Sequence, residues 1–112
     1  MKFSYLTRVK DDTMYDGKPG YFGMLVDFYH VSDAAHTKEE LAVRLQECFD
    51  VTAVEVYIKK GKNFPYPRTK LEDVPEDSEA TYMYVEIHTD NIFPIAREIA
   101  ERNNLNKKEE SG

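Results

Sequence analysis

The amino-acid sequence predicts an α+β domain, in which an antiparallel sheet of three N-terminal strands gains a fourth strand after one long helix (βββαβ). Runs rich in β-branched and aromatic residues occupy 2–9, 20–27 and 28–32, and their short connections favour antiparallel pairing. A helical pattern begins at Thr37, and a further strand pattern at 79–88 follows a proline-rich stretch. With 112 residues, the chain has room for a single domain.

The long helix is predicted from its first turn and its apolar stripe. Thr37 and Glu40 form a capping box, in which the threonine hydroxyl accepts a backbone N–H bond and Glu40 reaches back to the cap residue. The apolar residues that follow recur at three- and four-residue intervals: Leu41, Ala42, Leu45, Cys48 and Phe49. Residues 52–58 also suit a strand, but no Gly, Pro or Asn interrupts the segment. We therefore expect one helix of about 22 residues that ends at Gly61.

Two segments carry the residues of loops. Residues 10–19 include Asp11, Asp12 and Asp16, whose spacing does not match a calcium loop of the EF-hand type. We expect this segment to be a solvated hairpin loop. Residues 62–78 contain Pro65, Pro67 and Pro75 and should be extended, because each proline disfavours helical geometry in the residue before it.

The fourth strand has the clearest alternation in the chain. One face carries Thr81, Met83, Val85 and Ile87, and the other carries Tyr82, Tyr84, Glu86 and His88. A final amphipathic helix is predicted after it, with Ile92, Ile95, Ala96 and Ile99 on one side. We divide the chain into a βββαβ domain at 1–90, a C-terminal helix at 91–104 and a flexible tail at 105–112.

Composition and charge limit the classes of function. The formal net charge of −6 argues against a protein that holds nucleic acid through phosphate contacts alone, and it suits either a basic partner or a merely solvated acidic surface. One cysteine excludes an internal disulfide, and we expect Cys48 to be a small core residue. No apolar run approaches the roughly 20 residues of a membrane span. The first residues form no signal peptide, so we expect a cytoplasmic protein without a membrane partner.

The order of elements and several short motifs resemble the HicB family of bacterial antitoxins. The resemblance covers about residues 2–90, and its signature lies between residues 20 and 74. The motifs are a Gly-aromatic strand that reaches Asp27, then Thr37-x-Glu39-Glu40-Leu41, then Gly61-Lys62-Asn63-Phe64-Pro65-Tyr66-Pro67, and finally Leu71-Glu72-Asp73-Val74. The helix start alone is common in proteins, and the proline segment at this distance from it makes the combination more specific.

The resemblance implies a partial ribonuclease-H-like sheet with one helix packed across it, in a domain that self-associates as a dimer or tetramer. Such antitoxins bind and mask HicA, a small basic toxin that cleaves messenger RNA, and complementary charge favours such an encounter. Where the family has Pro-Asp-Leu-Pro-Gly-Cys, this chain keeps only Asp27. Little sequence follows the fourth strand, so we do not expect the operator-binding C-terminal domain of full antitoxins or direct binding to operator DNA.

No catalytic, cofactor-binding or metal-binding residues are predicted. A ribonuclease-H-like fold directs attention to a two-metal carboxylate cluster, for which the candidates are Asp27, Glu40, Glu47 and Glu86. Glu40 already has a capping role, and no further acidic pattern supports the set. The histidines His30, His36 and His88 lie on separate elements and lack the spacing of zinc ligands. We therefore expect a protein that is not an enzyme.

The strongest candidate for a binding surface is aromatic. Tyr82, Tyr84 and His88 share one strand face, and Tyr5, Tyr21 and Tyr29 are candidates for neighbours in the sheet. Such a face can stack bases, can serve self-association or a protein partner, or can pack beneath the C-terminal helix. The residues that we predict to bind a partner are Asp27, Tyr29, Tyr82, Tyr84, Glu86 and His88.

These observations lead to one functional expectation and two alternatives. The expectation is a non-enzymatic HicB-like interaction domain, an antitoxin that masks a HicA-type toxin. The first alternative is a single-stranded RNA-binding module that uses the sheet tyrosines, which the net charge disfavours. The second is an orphan oligomerising domain that has no toxin.

Overall fold

The computed structural model describes residues 2–61, 65–92, 94–98 and 101–102. The α+β fold is confirmed, with the elements in the predicted order and a short C-terminal helix after the last strand. The main elements are β1 (Lys2–Thr13), β2 (Pro19–Leu25), β3 (Phe28–Ala35), α1 (Lys38–Lys59) and β4 (Thr81–His88). A single 3-10 turn at Leu71–Asp73 interrupts the proline-rich segment between α1 and β4.

The four strands form one antiparallel sheet in the order β3-β2-β1-β4. The first strand of the chain therefore lies inside the sheet, where it pairs with β2 on one side and with β4 on the other. In the register, Thr7 is opposite Leu25 of β2 and Met83 of β4. This arrangement leaves β3 and β4 as the two edge strands.

Helix α1 has the boundaries that its capping residues predict. The Thr37 hydroxyl accepts a 3.1 Å hydrogen bond from the backbone N–H of Glu40, and Glu40 also pairs with Arg44 one turn later. Residues 52–58 belong to the helix, which settles the choice between helix and strand in favour of one 22-residue helix. Gly61 follows the C-cap with φ of +59°, a conformation that glycine adopts without strain.

The core lies between α1 and one face of the sheet. Its buried members from the sheet include Tyr5, Leu25 and Val85, which pack with residues of the predicted helical stripe: Leu41, Leu45 and Phe49. Cys48 and Ala42 are partly buried against this core, as predicted for Cys48. Ile92 is fully inside it, and Ile95 and Ala96 pack against it, so the C-terminal helix lies on the same side of the sheet as α1.

The strand boundaries differ from the predicted ones, most of all at the first hairpin. β1 continues to Thr13, so Asp11 and Asp12 lie in the strand and not in the loop that the sequence predicted. They remain solvent-exposed while their backbones pair with Tyr21 and Gly20, and exposed carboxylates are tolerated at the end of a hairpin. The prediction failed because aspartate is common in turns but also occurs at exposed positions of strands, so its presence does not distinguish the two.

The other strand ends shift by smaller amounts. β2 stops at Leu25, β3 continues to Ala35 instead of ending at residue 32, and β4 begins at Thr81. The predicted tail at 105–112 and the helical position of Ile99 lie outside the described residues. Among the helices of the described residues, none has both the length and the apolar character of a membrane span.

Candidate partner-binding face

The side of the sheet opposite α1 presents apolar and aromatic residues on neighbouring strands. Residues opposite each other in the register share a face, so Tyr82 lies in one row with Arg8 and Met24. Tyr84 lies in the next row, opposite Leu6, and Phe22 is on the same side of β2 as Met24. We call Phe22, Met24, Tyr82 and Tyr84 the outer sheet face.

The outer sheet face combines buried and exposed apolar groups. Leu6 is 1% exposed although it lies on the side away from the main core, whereas Tyr84 is 50% and Phe22 is 38% exposed. The described part of the C-terminal helix packs against the core on the opposite side, so it does not cover these tyrosines. Exposed aromatic side chains grouped on a sheet are typical of surfaces that bind another molecule.

The predicted site residues of β4 lie together as the alternation requires. Glu86 and His88 continue the row of Tyr82 and Tyr84 along the same face of the strand. Lys2, on the neighbouring β1, places Nζ 3.6 Å from Glu86 Oε1, and His88 Nε2 lies 3.8 Å from Glu86 Oε2. These exposed contacts are weak, because water and salt screen them.

The remaining tyrosines of the predicted group lie elsewhere. Tyr5 is completely buried in the core, and Tyr21 faces α1, where the Nζ atom of Lys38 lies 5.5 Å from the centre of its ring. Tyr29 is 65% exposed and stacks on His30, with ring centres 4.2 Å apart, at the start of the other edge strand. Tyr29 is therefore exposed, as a binding residue must be, but it is far from β4 in the strand order.

Asp27 accepts hydrogen bonds from the proline-rich segment. It lies in the turn between β2 and β3, where its Oδ2 accepts 2.7 Å bonds from the backbone N–H groups of Arg68 and Thr69. Its Oδ1 accepts a 2.7 Å bond from the Thr69 hydroxyl. Partial burial acts to raise the pKa of Asp27, but these hydrogen bonds outweigh it and hold the pKa below its ordinary value. In this structure Asp27 fastens one segment of the chain to another.

Residues 65–77, which we call the crossing segment, pass from the core side of the sheet to the outer sheet face. The hydroxyl of Tyr5 donates a 2.6 Å bond to the carbonyl of Pro65, on the core side. The backbone N–H of Leu71 donates to the hydroxyl of Tyr84 at 2.9 Å, on the outer side. Sequence reasoning missed these contacts, because no pattern in the crossing segment indicates which strands the segment passes over.

Arg8 is a second residue of this face that the sequence reasoning did not identify. Its Nε donates a 2.8 Å hydrogen bond to Asp77 Oδ2, and this bond lowers the pKa of the carboxyl group. A single arginine in a strand gives no sequence signal for such a partner 69 positions away. The pair fixes the end of the crossing segment and neutralises a positive charge on the outer sheet face.

Carboxylates gather at the end of the sheet where β1 and β2 meet their hairpin. One groove of about 230 Å³ is lined by Asp11, Asp77 and Glu79, among others. A second groove, of about 340 Å³, is lined by Asp11, Asp12 and His36. We call Asp11, Asp12, Asp77 and Glu79 the acidic end of the sheet. Asp12 lies on the side of the outer sheet face, whereas Asp11 is opposite Tyr21 and lies on the side of α1. The acidic end therefore borders both faces of the sheet and can attract cationic groups.

Two of the four carboxylates considered for catalysis are bound to other parts of the chain. Asp27 binds the crossing segment, and Glu40 binds Arg44 on the helix surface. Within the described ranges, no group of three or more His, Cys, Asp or Glu side chains is arranged to hold a metal ion.

Comparisons of the chain with protein-family models, with curated proteins and with solved structures find no match.

Proposed function

We propose that this chain is a non-enzymatic interaction domain of the HicB-like type, an antitoxin that binds and masks a small basic HicA-type toxin that cleaves messenger RNA. The observation that carries the proposal is the outer sheet face, where Tyr84 and Phe22 are exposed on the side of the sheet opposite α1. Aromatic residues are enriched in protein interfaces, and tyrosine is common among the few residues that contribute most of the binding free energy.

The charge of the chain supports a basic partner. The formal net charge is −6, and two carboxylates of the acidic end, Asp12 and Asp77, lie on the outer side of the sheet. A toxin that binds RNA must present cationic groups, because the phosphates of its substrate are anionic. Binding of these groups by carboxylates would occlude the RNA-binding surface of the toxin and would speed the encounter between the two proteins.

The motifs that resemble the HicB family fit this proposal in a structural way. Asp27, which this chain shares with the family turn, accepts bonds from the segment that follows the proline motif. The Leu71–Asp73 turn, which begins the Leu-Glu-Asp motif, reaches the outer sheet face through the bond between Leu71 and Tyr84. The residues of these motifs therefore help to hold the proposed binding surface in its shape.

The proposal is tested by purifying the chain together with the HicA-type protein encoded next to it and by measuring cleavage of a messenger RNA. We expect a stable complex and loss of cleavage when the chain is in excess. Asp11→Lys with Asp12→Lys should weaken binding at least tenfold, because each change reverses a charge at the acidic end. Glu39→Lys with Glu47→Lys makes the same change in charge at two exposed positions of α1 and serves as the matched control. Absence of a complex, or equal weakening by the control, would contradict the proposal.

A second candidate function is the binding of single-stranded RNA. The 50% exposure of Tyr84 favours it, because an exposed ring on a sheet can stack on a base. Filter binding of an unstructured RNA would detect such an activity, and the double variant Tyr82→Ala/Tyr84→Ala should lose it. If the wild-type chain retains no RNA at low salt, this candidate is excluded.

A further inference from the structure

The edge of β4 exposes backbone hydrogen-bonding groups at alternate residues. The backbone N–H of Val26 donates to the carbonyl of Leu6 at 2.9 Å, so the backbone groups of Leu6 point towards β2. In an antiparallel pair, residues opposite each other point either towards each other or away from each other. Since Tyr84 is opposite Leu6, its N–H and C=O point away from β1, and those of Tyr82 and Glu86 do so by the same alternation.

At His88, the next position of this series, the side chain of Gln46 from α1 occupies the edge. Gln46 Oε1 accepts a 2.7 Å bond from the N–H of His88, and Gln46 Nε2 donates a 2.8 Å bond to its carbonyl. The side-chain amide thus takes the place of a neighbouring strand. Within the described part of the chain, no hydrogen bond occupies the outward backbone groups of Tyr82, Tyr84 and Glu86.

The opposite edge of the sheet is protected in a different way. The N–H of Ala34 in β3 donates a 2.8 Å bond to Oδ1 of Asp33, so the neighbouring side chain already binds this edge group. The register between β2 and β3 also shifts between Met24 and Leu25. Inward-turned charges and irregular register are devices that discourage the addition of a strand. The regular, open edge is therefore that of β4.

We propose that β4 pairs with β4 of a second copy of this chain, antiparallel and about a twofold axis at Tyr84. In this register Tyr84 is opposite the partner's Tyr84, and Tyr82 is opposite the partner's Glu86. All the open backbone groups are then used, in about six hydrogen bonds, because each outward residue pair exchanges two. A twofold axis at Met83 or Val85 would leave one open residue of each strand without an open counterpart.

The side chains are self-complementary in this register. On the outer side, Glu86 lies beside the partner's Tyr82, whose phenol can donate to the carboxylate, and no like charges are directly opposite. On the core side, Met83 is opposite the partner's Val85, so apolar groups meet apolar groups. A strand from an unrelated protein has no such match of sequence and spacing, and this argues for a second copy as the occupant. The proposed interface uses the edge of the sheet and does not depend on binding of a toxin.

The first test is sedimentation of the full chain over a range of concentrations. We expect a dimer for the wild type. Tyr82→Glu places carboxylates opposite the partner's Glu86 at both ends of the ladder, and it should raise the dissociation constant about tenfold. Combining Tyr82→Glu with Glu86→Lys restores opposite charges and should restore the dimer. Circular dichroism of each variant verifies that the chain is folded.

The second test fixes the register by cross-linking. Tyr84→Cys in a Cys48→Ala background should form a covalent dimer under mild oxidation or with a short bifunctional maleimide, because the two positions meet at the axis. Tyr29→Cys in the same background is the matched control, since Tyr29 is exposed on the opposite edge strand. A wild type that stays monomeric, a dimer unaffected by Tyr82→Glu, or equal cross-linking of the control would overturn the proposal.

Discussion

Both carboxylate oxygens of Asp27 accept hydrogen bonds from Thr69, one from its backbone N–H and one from its hydroxyl, each at 2.7 Å. The two residues are 42 positions apart in the sequence. Through this contact the turn between β2 and β3 holds the crossing segment in place. A carboxylate with several donors is a stronger anchor than a neutral group, because charge-assisted hydrogen bonds are shorter and stronger.

Removal of this anchor should destabilise the chain measurably. We expect Asp27→Ala to lower the free energy of unfolding by about 2 kcal/mol, because hydrogen bonds to a charged group contribute about 1.5–3 kcal/mol. Thr69→Val removes the hydroxyl and keeps the backbone donor, so its effect should be smaller, near 1 kcal/mol. Urea unfolding followed by circular dichroism measures both. Equal stability of Asp27→Ala and the wild type would show that the contact is not an anchor.

Acid should weaken the same contact. The folded-state pKa of Asp27 is lowered, so the carboxylate contributes stability that is present above the unfolded-state pKa of about 4 and is lost as the pH falls through the folded-state value. The difference in stability between the wild type and Asp27→Asn should therefore be constant near neutral pH and should shrink below about pH 4. Unfolding at pH 7, 5, 4 and 3 measures this difference. A difference that does not change with pH would contradict the prediction.

Alkali should act through Tyr5. Burial raises the pKa of its phenol, and the negative charge of Asp27 raises it further. A folded-state pKa above the unfolded value of about 10 gives stability that is present below that pH and is lost as the pH rises above it. Tyr5→Phe should cost about 1 kcal/mol at pH 8, for the lost bond to Pro65, and this cost should shrink by pH 11. Tyr29→Phe, at an exposed position, is the control and should cost little stability at pH 8.

The close approach between β2 and α1 depends on Gly23. A Cβ atom at this position would lie 2.9 Å from Cδ2 of Leu41, which is completely buried. Gly23→Ala should therefore lower the free energy of unfolding by about 1–3 kcal/mol, through overpacking. In the double variant with Leu41→Ala, the new methyl group occupies space that the leucine vacates. The double variant should be more stable than the sum of the two single effects predicts, which a double-mutant cycle on the urea midpoints measures.

The helix and the sheet faces could be predicted from the sequence because their determinants are local. Thr37 and Gly61 mark the ends of α1 through capping chemistry that involves only neighbouring residues. The alternation in β4 likewise predicts that Val85 and Ile87 share one face and Tyr84 lies on the other, and in the structure the first face is buried while Tyr84 is exposed. For these elements, the residues that form the sequence pattern are the same residues that determine the local structure.

The contacts of the crossing segment could not be predicted in this way. Asp27 could be identified as a conspicuous residue, but nothing near it in the sequence indicates Thr69 as its partner. The ion pair between Arg8 and Asp77 joins positions 69 apart and depends on the path of the chain over the sheet. Grouping all the tyrosines failed for the same reason, because Tyr5 lies on the opposite face of the sheet from Tyr84.

The inner position of β1 also determines how the domain can fold during synthesis. β1 leaves the ribosome before the other three strands, yet one of its two neighbours, β4, emerges after all of them and after α1. Translation at roughly 5–20 residues per second gives the first hairpin and α1 several seconds together before β4 arrives. Throughout this interval the edge of β1 that carries the outward backbone groups of Tyr5 and Thr7 lacks its neighbour and is open to other strands. We expect nascent chains that lack β4 to recruit chaperones and released chains to fold in one late step.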